Sequence, residues 1–218
     1  MSNGRTCARS GVRAIGVRTS RALTSAIVLF ALLIARPALG QTNDSMPGMS
    51  GHAPITIPAG ADYTAADVEF MQGMIAHHAQ AIYMSHMAAA HHASPRLLKL
   101  ANKIDQSQVA EIAVMQQWLR QNGQSVPDTS SWRTMHMAGM LTSAQLQQLD
   151  AATGPAFDRA FLTMMIQHHE GALKMVDDLF ATPRAGQEVN VNVFANDVVS
   201  VQTAEIGIMR QMLSQLND

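Results

Sequence analysis

The sequence repeats itself. Phe70, Met74, Ile75, His77, His78, Ala81 and Met84 recur 91 residues later as Phe161, Met165, Ile166, His168, His169, Ala172 and Met175. A second block, Ala101, Asn102, Gln108, Glu111, Ile112, Met115 and Leu119, recurs 94 residues later as Ala195, Asn196, Gln202, Glu205, Ile206, Met209 and Leu213. Apolar residues in both blocks fall at helical spacing, so the repeating unit is a pair of helices. One amphipathic hairpin cannot bury its own apolar stripe, but two packed together can. The duplication therefore predicts an all-α fold, a four-helix bundle made of two repeated helical hairpins. Roughly thirty residues join the copies, enough to cross the bundle, which favours a ferritin-like arrangement over simple up-down-up-down topology.

Local signals set the helix limits. Thr64 followed by Asp67 reads as a helix start, with the apolar pattern running to about Ala90. Ser94 and Pro95 supply a cap and a first-turn proline for a second helix, which runs to about Gln121 and stops at Gly123. A short helix begins at Thr142, a third long one follows Gly154-Pro155 and reaches about Ala181 before Pro183, and a fourth runs from near Glu188 to Leu216. The bundle domain thus covers residues 63–218. Residues 41–62, rich in Pro, Gly, Ser and Thr and carrying Met46, Met49 and His52, read as a flexible tail.

Residues 1–40 are of another kind, with six arginines, no acid, an apolar run from Ala26 to Ala35, and then Ala38-Leu39-Gly40. That is the pattern of a secretory signal peptide, which places the mature start near Gln41 and the protein in the periplasm or outside the cell. The apolar run is far short of the about 20 residues that span a bilayer, so an integral membrane protein is not expected. Cys7, the sole cysteine, leaves with the signal, taking with it any prospect of disulfides, thiolate metal sites or a cysteine nucleophile. Fifteen basic residues less the six arginines leave nine against sixteen acids, a mature net charge of −7. A nucleic-acid partner is excluded, since it needs a basic surface.

All nine histidines and every methionine but Met1 lie after residue 40. Methionine alone usually means adaptable core packing. With histidine, in an exported chain without cysteine, it fits copper, because thioether suits Cu(I) and imidazole suits both Cu(I) and Cu(II); another transition metal could use the same donors.

The repeat places these residues in the core. Phe70, Met74, His77, Ala81 and Met84 step by four and three along one helix seam, and His78 sits about 100° round, on a flanking stripe. Ala101, Ile104, Gln108, Glu111, Met115 and Trp118 form the seam of the second helix. With the turn near residues 93–94, His77 and Glu111 are equally far from it and are expected to face each other, with Met74 and Met115 one turn along. The second hairpin is expected to build a corresponding layer from Met165, His168, Glu205 and Met209, with His169 beside it, and a twofold relation between hairpins would bring the two layers together at the bundle centre. The candidate metal ligands are therefore Met74, His77, His78, Glu111, Met115, Met165, His168, His169, Glu205 and Met209. The competing structural reading is a hydrogen-bonded His–Glu network that holds no ion. If the histidines dominate, protons should compete with the metal below about pH 6 and affinity should fall between about pH 7 and 5.

Weaker clusters are His86, Met87, His91 and His92 at the end of the first helix, Met135-His136-Met137 with Met140 in the connection, and Met46, Met49 and His52 in the tail. Phosphate loops, nucleophile elbows and HExxH are missing from the sequence, as is the Glu-x-x-His pair of diiron bundles. The two Met-x-x-His-His segments, Phe70 to Met84 and Phe161 to Met175, resemble the paired signature of the "domain of unknown function 305" family over residues 64–216. The resemblance implies a ferritin-like bundle and, for some members, periplasmic copper binding or copper resistance. Carried over by position, its residues are Met74, His77, His78, Met165, His168 and His169. The reading is a copper-binding protein for buffering, sequestration or delivery, without catalysis, working with copper-efflux or copper-delivery proteins; homo-oligomerisation is open. Its rivals are a ferritin-like oxidase of Cu(I) or Fe(II) and a metal-free helical interaction module.

Overall fold

Thr64 opens the first helix with a capping box: its hydroxyl accepts from the Asp67 amide at 3.3 Å, and the Asp67 carboxylate accepts from the Thr64 amide at 2.7 Å. The computed structural model describes residues 54–216, in which α1 spans Ala65–Ala90, α2 Pro95–Gln121, α3 Ser143–Ala151, α4 Gly154–Ala181 and α5 Val189–Gln215, with a 3₁₀ turn at Thr129–Arg133. Ser94 caps α2 ahead of Pro95, Thr142 and Gln145 form a second capping box at α3, and Glu188 caps α5 by accepting from the Val191 amide at 2.9 Å. Gly123 takes a φ of +64° as α2 ends, the left-handed conformation that glycine adopts without strain. The expected signal peptide and Met46, Met49 and His52 fall outside the described residues. At the near end of the tail, Ile55, Ile57 and Ala61 lie partly buried against the core.

The chain is an all-α, ferritin-like bundle of two repeated hairpins. Ion pairs and hydrogen bonds fix the directions: α1 runs antiparallel to α2 through His78–Glu111 and His86–Asp105, and α4 antiparallel to α5 through His169–Glu205 and Arg159, which donates to the Leu216 carbonyl at 2.8 Å. Between hairpins, α2 and α5 are antiparallel, with Lys103 at Glu205 and Trp118 at Glu188. A buried aspartate at the start of each hairpin reaches the turn of the other. The Asp67 Oδ1 accepts from the Gly186 amide at 2.6 Å, and Asp158 accepts from the Ser94 amide at 3.1 Å. These two residues are themselves related by the 91-residue repeat.

The connection between hairpins travels beside α1 for its whole length. Gln72 Nε2 donates to the Ser125 carbonyl, Gln80 both donates to Leu141 O and accepts from Leu141 N, and His91 Nδ1 lies 2.9 Å from the Ala152 carbonyl. The crossover therefore covers the side of α1 that a plain bundle would leave wet, and every residue from Asp67 to Ala81 is buried. The seam pattern predicts a helix buried on one face; from Asp67 to Ala81 α1 is buried all round because the crossover supplies the missing cover. Where the crossover passes α4, Gly139 and Gly171 meet backbone to backbone, and a Cβ on Gly171 would collide with the Ala138 carbonyl.

Candidate metal centre

Four buried imidazoles meet at mid-bundle. His77 and His78 come from α1 and His168 and His169 from α4, all without solvent exposure. The His77 and His168 rings lie 3.8 Å apart, centroid to centroid, tilted by 37°. These are equivalent residues of the two copies, so the approximate twofold of the bundle passes between them. Next to this pair, His78 Nε2 lies 2.6 Å from Glu111 Oε2 and His169 Nε2 lies 2.9 Å from Glu205 Oε2.

The expected facing of His77 with Glu111 and of His168 with Glu205 is thus off by one residue. Distance from the hairpin turn sets the level of a residue along the helix but leaves its rotation about the axis open. His77 points toward α4 and the crossover, where its Nε2 sits 3.1 Å from the Ala138 carbonyl, and 100° of helix turn carries His78 to α2.

These contacts determine where the lone pairs are. A carbonyl or carboxylate oxygen can only accept, so the Nε2 atoms of His77, His78 and His169 carry a proton, and in the neutral form of each ring Nδ1 carries the free pair. All three Nδ1 atoms are buried with no hydrogen-bond partner among the described residues, as are both nitrogens of His168 and the side-chain amides of Gln108 and Gln202. Each such group costs about 1–3 kcal/mol when left unpaired. Imidazoles oriented by carbonyl or carboxylate acceptors, with the other nitrogen free, are the arrangement that outer-sphere groups impose on metal-binding histidines.

The methionines divide about this layer. Met74 and Met115 belong to one apolar cluster, with Met71 and Met175; Met165 and Met209 belong to the other, with Met84, Met164 and Met212. The expected ligands therefore sort into two sets of four, Met74, His78, Glu111 and Met115 in one hairpin and Met165, His169, Glu205 and Met209 in the other. Within each set the residues on one helix are four apart, one turn along the same face. His77 and His168 lie between the sets. Among the described residues, no three His, Cys, Asp or Glu side chains converge to hold an ion.

Burial, then the charge of His78, pushes the His77 imidazole down to about 3, against the raising effect of the Ala138 hydrogen bond. Burial likewise holds His168 well below the ordinary histidine value, reinforced by the charges of His77 and His169. Burial alone would raise the Glu205 carboxyl; the hydrogen bond and charge of His169 and the charge of Lys103 outweigh it and hold it below the usual value. These shifts alter the expectation that protons compete with a metal between pH 7 and 5. His77 stays neutral through that range, and His168 is displaced in the same direction.

The weaker clusters resolve differently. His86 is exposed and paired with Asp105 at 2.9 Å. His91 uses both nitrogens, on the Ala152 carbonyl and on Asp150, and stacks on Phe157, so it fastens the α3–α4 corner to the end of α1. Met135 is buried and Met137 packs on the core, which favours packing over ion capture in the crossover; His136 is exposed. Lys103, whose ammonium reaches Glu205 Oε1 at 3.4 Å, escaped the sequence reading. It belongs to the other hairpin, and no spacing within one copy signals that contact.

Comparison with known proteins gives a family and a set of structures. The family model described as Domain of unknown function (DUF305) matches residues 67–213. A candidate secreted protein of that kind from Streptomyces coelicolor is 27% identical with a TM-score of 0.61, covering 72% of this chain and 96% of its own. A DUF305 fragment from Deinococcus radiodurans is also 27% identical at a TM-score of 0.61, covering 70% of this chain and 98% of its own. CopM in its Cu(I)-bound form is 30% identical at a TM-score of 0.55, over 68% of this chain and 96% of its own, and CopM has also been solved with Cu(II) and with silver. No functionally curated protein matches the chain.

Proposed function

The chain belongs to the domain of unknown function 305 family, and from that premise we propose that it is an exported copper-binding protein that buffers, sequesters or delivers the ion through His and Met donors at mid-bundle. One observation carries the reading: four buried imidazoles keep unpartnered nitrogens at one level, with thioethers on both sides. The donor set suits copper, since imidazole binds Cu(I) and Cu(II) and thioether adds preference for Cu(I). Met74 with His78 and Met165 with His169 would hold the ion, with His77 and His168 between them. Glu111 and Glu205 serve as acceptors that orient His78 and His169, in place of the direct ligation expected from their seam positions. The metal-bound forms of CopM, a protein of like fold, support the same class of ligand.

The reading includes export, with a mature start near Gln41, and a partner that donates or removes copper. No described helix is long and apolar enough to cross a membrane. Intact mass of the exported protein would test the start; a species retaining Arg36 would remove it. For binding, the test is competitive titration of the mature protein with Cu(I), Cu(II), Zn(II) and Fe(II), alongside His77→Gln/His168→Gln and the surface control His86→Gln/His92→Gln. Copper should bind most tightly and the core variant should lose it, while the surface variant keeps it. Equal loss in both variants would move the site to the surface, and no binding would leave the His–Glu layer as a structural network. Repeated oxygen uptake by the Cu(I)- or Fe(II)-loaded protein would replace the binding reading with an oxidase.

A further inference from the structure

The two hairpins repeat in sequence, yet their halves of the centre differ in charge. Glu205 is 1% exposed and has the Lys103 ammonium 3.4 Å from its Oε1, while its Oε2 holds His169. Glu111, its counterpart, is 23% exposed, and His78 is its sole ion-pair partner among the described residues. The repeat explains the difference: the residue 94 positions after Lys103 is Asp197, so one copy carries a cation where the other carries an acid. Loading a monovalent ion beside Glu111 neutralises a negative charge that no Lys or Arg already balances among the described residues. The same ion beside Glu205 enters a set that Lys103 has already neutralised, and leaves a net positive charge in a low-dielectric interior.

Lys103 also has somewhere to go. Its side chain is 61% exposed. It lines a groove of about 800 Å³ along α2 and α5, beside Arg96, Lys99 and Met212. The flexible stem of a lysine can swing the ammonium from Glu205 toward water and the side-chain amides of Asn102 and Gln106, which also line that groove.

Resting on the copper-binding reading above, we propose that Lys103 makes the two half-sites unequal: the set Met74, His78, Glu111 and Met115 fills first, and the set Met165, His169, Glu205 and Met209 fills only after Lys103 withdraws from Glu205. The order gives the protein one tight store and one that a change at the α2–α5 groove can open or close. Lys103 is a positioning residue, acting through Glu205 on His169 without touching the ion.

The test follows the methionine methyl resonances of the full mature protein during titration with Ag(I), a closed-shell stand-in for Cu(I). In the native protein the Met74 and Met115 methyls should shift with the first equivalent and those of Met165 and Met209 with the second, with affinities separated by about tenfold or more, the scale of one charge-assisted contact. Lys103→Leu should bring the four methyls into step, Lys103→Arg should restore the order, and Lys99→Leu, in the same groove, should leave the order as in the native protein. If all four methyls respond together in the native protein, or Met165 and Met209 respond first, the proposal fails while copper binding stands. If none responds, the binding reading fails and the proposal with it.

Discussion

Acidification should destabilise the protein through His77 before any carboxylate is involved. In the unfolded chain this imidazole takes up a proton near its ordinary value of 6.5, whereas in the bundle it does so only at about 3. Its folded value is depressed, so the stability it confers is complete above pH 6.5 and is lost as the pH falls toward 3, while the unfolded chain binds the proton that the folded one refuses. Each unit of pH in that interval costs about 1.4 kcal/mol, so the 1.5 units from 6.5 to 5 amount to about 2 kcal/mol from His77 alone. His168 adds to the loss in the same direction. The carboxylates held low, Glu188 and Glu205, have ordinary values of 4.5 and lose their contribution mainly below pH 5, outside this interval. The assay is urea unfolding of the chelator-treated mature protein at pH 7, 6 and 5, native beside His77→Gln, which keeps a side-chain donor for Ala138 but has nothing to titrate. The native protein should lose about 2 kcal/mol more than the variant between pH 7 and 5, a large share of the stability of a typical domain. Parallel pH profiles for the two proteins would refute the argument that His77 is buried neutral.

Two further outcomes follow from the packing. Gly171→Ala drives a methyl into the Ala138 carbonyl, and overpacking of this kind should cost about 1–3 kcal/mol, visible as a lowered thermal midpoint; an unchanged midpoint would mean the crossover is not pressed against α4. Asp67→Asn and Asp158→Asn should each lose about 1.5–3 kcal/mol in urea unfolding, because each weakens a charged hydrogen bond to the opposite hairpin's turn, and a change under 0.5 kcal/mol would show the bonds to be incidental.

Most of the fold was legible because duplication, caps and breakers agree. Thr64, Ser94-Pro95, Gly123, Gly154-Pro155 and Pro183 mark helix limits by local chemistry, and the structure keeps them within a residue or two. The His level was legible for the same reason, since distance from a turn fixes height along an antiparallel pair. Rotation was not. Whether His77 or His78 meets the glutamate depends on how α1 sits against α2, α4 and the crossover together, and the crossover carries no helical pattern to reveal its path. Gln72 and Gln80 look like ordinary surface amides, although both pin that crossover. The methionines divide about the histidines because the two copies run in opposite directions, so equivalent residues lie on opposite sides of the axis. Lys103 was illegible because its partner lies in the other copy.

The crossed contacts of Asp67 and Asp158 have a thermodynamic consequence. Where each repeat closes on itself, an array can melt piece by piece. Here each hairpin holds the other's turn shut, so neither half gains full stability until the other is in place, and the chain should melt in a single cooperative step. The His77–His168 contact, made wholly across the same interface, exists only in that fully joined state. An ion bound on the axis would therefore act as a ligand of the native state of the whole domain, raising the melting temperature of all four long helices together in proportion to the logarithm of its concentration over its dissociation constant.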